Sequence, residues 1–212
     1  YRLDTNYLLA SGLKGHRAYG VGDWDRDSFG DVITVDPAGV MYLRRGQGAG
    51  KLAAPVQIGW GWSSYRAVPI GDITGDGWPD LLGIDQSGIL WTYSGNGASG
   101  FKAGRIRSGS GWSTSLTPLA GGDTTGDGRR DLLMIDGSGK LWCYPGNGHA
   151  GFGSRSLVNS GWNGWMAVTG ADLNGDGRGD LMGRQNSTHR LYYYRNTGNN
   201  RFAAGQAIGS GW

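Results

Sequence analysis

"VPIGDITGDGWPDLLGIDQSGILWTYSGNG", residues 68–97, carries the pattern on which the fold turns. An apolar, extended stretch runs into an acidic loop bent by glycines. A second apolar stretch, "DLLGID", follows and closes on "QSG"; a third, "ILWTYS", alternates in character and stops at "GNG". Further on, "FKAGRIRSGSGW" (101–112) reads as a fourth. Short runs of β-prone residues bounded by Gly, Asn and Asp read as antiparallel strands.

This unit recurs. Gly-Trp stands at 61–62, 111–112, 161–162 and 211–212, steps of 50, and Gly12-Leu13 fills the same place about one period earlier. The aspartates that open the acidic loops, Asp23, Asp72, Asp123 and Asp172, keep steps of 49, 51 and 49. Two independent markers in register define a repeat array. Four strands per unit predict an all-β fold, a β-propeller of about four 50-residue, four-stranded blades. The units are 14–62, 63–112, 113–162 and 163–212, in a single domain over 1–212. Residues 1–13 read as a partial repeat, a strand that closes the ring. A longer array, or pairing with a second copy to cover open edges, stays open beside it.

Composition agrees. Of 212 residues 43 are Gly, too many for long helices when each interior Gly costs about 1 kcal/mol relative to Ala. No apolar run approaches the roughly 18 residues that span a membrane, so no membrane insertion is expected. The N-terminus shows no signal peptide, so a secreted protein would stand here in mature form. Cys143 is the only cysteine, which excludes an internal disulfide. The 16 Arg are spread through the repeats without a basic stripe, so no nucleic-acid partner is expected. The acidic side is sharper: there is no Glu, and 13 of the 17 Asp lie in the four loops.

Aligned, those loops read "DWDRDSFGD" (23–31), "DITGDGWPD" (72–80), "DTTGDGRRD" (123–131) and "DLNGDGRGD" (172–180). Oxygen-bearing side chains fill positions 1, 3, 5 and 9: Asp23, Asp25, Asp27 and Asp31; Asp72, Thr74, Asp76 and Asp80; Asp123, Thr125, Asp127 and Asp131; Asp172, Asn174, Asp176 and Asp180. Alternate oxygens around a glycine bend, with the position-7 carbonyl, suit Ca2+, which takes six to eight oxygens. About four Ca2+ are expected, one per repeat, with affinities on the order of 10⁻⁴–10⁻³ M or somewhat tighter. An Asx-turn without metal is the competing reading. Position 12 is Thr34, Gly83, Met134 or Gly183, so the Asp at position 9 is expected to close the cage. That would turn Asp180 inward and take Arg178-Gly179-Asp180 out of use as an adhesion tripeptide. The first loop has Ser28 where its sisters have Gly77, Gly128 and Gly177, so its turn is expected to be strained.

These loops, each followed by a stretch such as "DLLGID" or "DLLMID", resemble the FG-GAP/VCBS repeat family. The resemblance runs through all four loops and implies a Ca2+-loaded β-propeller from a secreted, extracellular protein. The "GSGW" step and the strand "GKLWCYPG" are more loosely similar to tachylectin-2-like propellers, which implies sugar binding. Unit four departs from the pattern, with Gln185 where the others have Asp36, Asp85 and Asp136.

Chemistry is thin. His16, His149 and His189 take unrelated repeat positions, no nucleophile–base pair stands out, and no enzyme is expected. Aromatic residues point instead to binding. The strand residues Trp91, Tyr93, Trp142, Tyr144, Tyr42, Tyr192 and Tyr194 read as packing between blades. Trp62, Tyr65, Arg66, Trp112, Trp162 and Trp165, at the connections between units, are the candidate carbohydrate residues, because aromatic faces stack on sugar rings. Blade packing is their competing reading. Repeated weak sites would add avidity toward an arrayed glycan or an anionic cell-wall polymer. The expected function is multivalent carbohydrate binding, as a targeting module joined to other domains of a larger secreted protein. A protein–protein scaffold or a structural accessory domain is the alternative, with self-association also open.

Overall fold

The computed structural model describes residues 11–168 and 172–211. Four antiparallel four-stranded sheets form the blades of a β-propeller, and no helix occurs among the described residues. Blade 1 holds β1 (Arg17–Gly22), β2 (Asp31–Val35), β3 (Met41–Arg44) and β4 (Val56–Gly59). Blade 2 holds β5 (Arg66–Gly71), β6 (Asp80–Ile84), β7 (Ile89–Tyr93) and β8 (Ile106–Ser110). Blade 3 holds β9 (Thr117–Gly122), β10 (Asp131–Ile135), β11 (Lys140–Tyr144) and β12 (Ser156–Ser160). Blade 4 holds β13 (Trp165–Val168), β14 (Leu181–Gln185), β15 (Arg190–Tyr194) and β18 (Gln206–Ser210), with a short hairpin β16 (Asn196–Gly198) and β17 (Arg201–Phe202) at its rim. Each blade is a meander in chain order. The strand expected over 1–13 lies almost wholly outside the described residues, as does Trp212.

Local chemistry explains the strands. In blades 2 and 3 the second strand is buried on both faces, so "DLLGI" and "DLLMI" read as continuous apolar runs, whereas in blade 4 "LMGRQ" is buried only at Leu181 and Gly183. The first strand enters its acidic loop through a bulge, where Gly22, Gly71 and Gly122 pair with Asp31, Asp80 and Asp131. Those glycines have φ of 70°, 81° and 68°, a left-handed conformation that a side chain would resist.

The core lies in the seams between blades. Val35, Met41 and Leu43 of blade 1 pack with Trp62 and Leu81 of blade 2. Ile84 and Leu90 of blade 2 pack with Trp112, Leu132 and Met134 of blade 3. Ile135, Leu141 and Cys143 of blade 3 pack with Trp162 and Leu181 of blade 4. Burial pushes the Cys143 thiol up to about 12, so it stays protonated and inert. Backbone hydrogen bonds stitch the same seams: Ala150 N donates to Ile73 O, Gly179 N to Asp123 O and Asn200 N to Thr124 O.

Candidate functional site

The first aspartate of each loop draws it closed. The Asp72 carboxylate accepts the amides of Gly75 and Gly77 at 2.7 and 2.8 Å. Asp123 accepts those of Gly126, Asp127 and Gly128, and Asp172 those of Gly175, Asp176 and Gly177. Amide donation, that of Gly177 foremost, holds the Asp172 carboxyl below its usual value. The bends fall at positions 4 and 6, where the sister loops have glycine at positive φ; the first loop puts Arg26 (φ 62°) and Ser28 (φ 76°) there. Left-handed backbone costs a residue with a Cβ roughly 1–2 kcal/mol. The strain expected at Ser28 is therefore present, and Arg26 shares it.

Position 9 has a structural job that the sequence did not show. Asp31, Asp80, Asp131 and Asp180 are buried. Each joins the start of its loop to the rim hairpin of its own blade. Asp31 accepts the amides of Trp24 and Gly46, and Asp80 those of Ile73, Thr74 and Gly95. Asp131 accepts Thr124, Thr125 and Gly146, and Asp180 accepts Leu173, Asn196 and the Tyr193 hydroxyl. These carboxylates latch the loop to its blade through backbone amides and, at Asp131 and Asp180, side-chain hydroxyls. Asp180 is indeed engaged, as the adhesion argument required, but by the protein's own donors.

Fit to a cation is best in the first loop. Asp23, Asp25 and Asp27 bring one carboxylate oxygen each to within 4.8 Å of one another. Two of these residues' buried oxygens, Asp23 Oδ1 and Asp25 Oδ1, have no hydrogen-bond partner. Burial, then the charges of Asp31 and Asp27, push the Asp25 carboxyl up. Orphaned, mutually repelling oxygens of this kind suit a hard divalent cation. In the sister loops position 3 is a neutral donor-acceptor: Thr74 Oγ1 lies 3.5 Å from Asp72 Oδ1, Thr125 Oγ1 3.4 Å from Asp123 Oδ1, and Asn174 Nδ2 3.1 Å from Asp176 Oδ2. Side-chain cations already stand on some of these acids, Arg45 on Asp25 at 2.7 Å and Lys102 on Asp76 at 2.6 Å.

The candidate carbohydrate residues divide. Trp62, Trp112 and Trp162 are 5%, 7% and 5% exposed and belong to the core. Trp62 lies 4.8 Å from the Tyr93 ring and Trp112 4.7 Å from Tyr144, so their faces are not offered to a sugar. This corrects the stacking role expected of them: an indole at the blade connection folds inward to seal the seam. Arg66 is likewise occupied, its guanidinium donating to the carbonyls of Trp112, Ser113 and Leu116. Tyr65 packs on Trp62 and takes a hydrogen bond from Arg105.

Trp165 differs. It is half-buried, 5.7 Å from the Trp162 ring, and lines a groove of about 390 Å³ between blades 3 and 4. Thr117, Asp136, Asn163, Met166 and Asn186 also line it, and Met166 is 54% exposed. Asp136 accepts hydrogen bonds from Ser138 and Trp142, which hold its carboxyl well below the usual range and keep it ionised. The strand aromatics Trp91 and Trp142 are each tied to an Asp and capped by an Arg, at 3.8 and 4.2 Å.

A further exposed aromatic stands outside the expected set. Trp60 is 80% exposed beside a cleft of about 610 Å³ shared with Ile58, Asn96, Ser99 and Phe101. Its signal is "GWGW" at 59–62 where later units have "GSGW" (109–112 and 209–212) or "NSGW" (159–162).

No curated protein matches the sequence. Among solved structures, an Agrocybe aegerita lectin described as recognising non-reducing terminal N-acetylglucosamine is similar, at TM-score 0.61 and 22% identity over 94% of this chain. A Photorhabdus luminescens Tc holotoxin pore is similar at TM-score 0.54 and 19% identity over 97% of this chain. The chain spans 54% of the lectin chain's length and 10% of the toxin chain's. At these identities the likeness is one of fold. The FG-GAP-like repeat profile matches residues 23–83, 72–134 and 123–183, each match running from one acidic loop through the next. By those three matches, covering more than half of its length, the chain belongs to the FG-GAP-like repeat family.

Proposed function

We propose that this protein is an extracellular carbohydrate-binding module, braced by Ca2+ in its acidic loops and without catalytic activity. The observation that carries the reading is the groove between blades 3 and 4. It combines the Trp165 ring and the exposed Met166 with Asp136, Asn163 and Asn186. An apolar platform beside a few fixed polar groups is what a sugar ring requires. The fold shared with a lectin is compatible with that reading.

Calcium would sit against Asp23, Asp25 and Asp27, and in the other repeats against the acids and the Thr or Asn at positions 1, 3 and 5. Its contribution there is charge neutralisation and rigidity, not activation of water. The larger protein that such a module serves would be directed by it to a glycan surface.

A glycan array probed with and without EGTA tests both parts. Binding that Trp165→Ala abolishes supports the lectin; no hit on any glycan sinks it and leaves a protein-binding scaffold. An exposed Trp60 makes Trp60→Ala the necessary companion variant, since a loss confined to it would move the site to the rim cleft.

A further inference from the structure

Two of the three seams described are filled from within. In the first, Arg17 of β1 reaches across to the carbonyls of Trp62 and Tyr65. In the second, Arg66 of β5 reaches those of Trp112 at 3.0 Å, Ser113 at 2.9 Å and Leu116. Register makes these two residues equivalent to Thr117 of β9, because they pair with Val35, Ile84 and Ile135 in turn. The third seam therefore faces its neighbour with a short hydroxyl where the others extend a five-donor guanidinium.

The receiving turn itself is conserved in shape within the chain. Trp165 N donates to Trp162 O at 3.2 Å, as Tyr65 N does to Trp62 O at 3.2 Å. The position that faces Ile84 in blade 2, Arg66, and its counterpart facing Arg184 in blade 4, Met166, each follow the indole by four residues. Blade 4 thus presents the same carbonyl edge that holds a guanidinium in blade 2, but across from it stands an exposed Thr117 lining an open groove.

We propose that Thr117 is the residue that makes the third seam a ligand site, and that the carbonyl edge of Trp162 and Trp165 receives the N–H and O–H donors of a neutral or cationic sugar in place of the missing arginine. This rests on the carbohydrate reading above and names its ligand class. The carbonyls and the ionised Asp136 offer acceptors to a ligand, so a sugar bearing an amino or acylamino group fits and a uronic acid does not. The seams are not equivalent, and these three offer one site, not an array of copies.

Methylguanidinium tests the cradle without any sugar. In 1H–15N spectra of the intact chain, it should shift the Trp165 indole signal saturably. Thr117→Arg, which installs the side chain the sister seams already hold, should abolish that shift with the melting temperature kept or raised. The same variant should weaken sugar binding by about tenfold or more, since it builds a steric block into the groove, while Thr117→Ser preserves it. Glucosamine should compete better than glucuronate. An unshifted wild-type signal, an equal shift in Thr117→Arg, or the reverse order of the two sugars would overturn the proposal. A methylguanidinium shift together with a blank glycan array overturns the carbohydrate reading and the ligand class, and supports the cradle.

Discussion

Ser28 and Arg26 show how a single side chain can oppose the turn that contains it. Both hold left-handed backbone where the sister loops have glycine. Arg26 gains something in return, its guanidinium lying 4.4 Å over the Trp78 ring, whereas the Ser28 hydroxyl makes no hydrogen bond among the described residues. Ser28→Gly is therefore expected to stabilise the protein by about 1 kcal/mol in urea denaturation; no change or a loss would show that the strain is not felt there. Gly183 makes the opposite case. A Cβ there would stand 2.8 Å from the Trp162 ring and 3.2 Å from Trp165. Gly183→Ala should cost about 1–3 kcal/mol by overpacking, and a neutral result would mean that the indole is free to move. Alignment of the loops revealed Ser28 because the sister residues are all Gly. At Gly183 the alignment is ambiguous, since Gly83 repeats the glycine against Trp62 while Thr34 and Met134 stand at the same position in the other units.

Among elements, the acidic loop was the most legible and its last residue the least. Positions 1, 3 and 5 are close in sequence, so their convergence follows from the bends between them. Position 9 reaches a hairpin 15 or 16 residues further along, a contact that only the blade creates. Asp80→Asn leaves a buried amide facing its own kind and should cost about 1–3 kcal/mol; a difference under the error of urea denaturation would remove the latch. The turn acids make a pH prediction. Hydrogen bonds from Ser138 and Trp142 lower the folded-state value of Asp136, as Trp91 and the Ile89 amide do for Asp85. A lowered folded value means that the carboxylate form is favoured by folding. The stabilisation is then complete above the unfolded value of about 3.9 and fades as pH falls through the folded one. The melting-temperature gap between wild type and Asp136→Asn should accordingly be constant near neutrality and shrink below about pH 4. A gap that persists unchanged at low pH would contradict this.

Across the whole molecule, four blades meet through aromatic seams and clasped loops. If Ca2+ fills the loops, each site at a hundredfold excess over its dissociation constant adds about 2.7 kcal/mol. Calcium should raise the melting temperature and EGTA lower it, with Asp25→Asn reducing the effect; a melting temperature indifferent to calcium would end the proposal. No helix among the described residues is long and apolar enough to cross a membrane.

The 50-residue period, the four strands per unit and the four acidic clusters are properties of the linear chain, because turns and strands are set by neighbours a few residues apart. The propeller and its loops are therefore legible in the linear chain. The difference between seams depends on residues 45 to 50 positions apart meeting across blades, burial of the Gly-Trp indoles on strands of the neighbouring blades, and the latch role of position 9 on a hairpin 15 or 16 residues away that only the folded blade brings back. Those features emerge with the packed blades, since a seam is filled by a guanidinium or left open according to which residue the neighbouring blade places opposite.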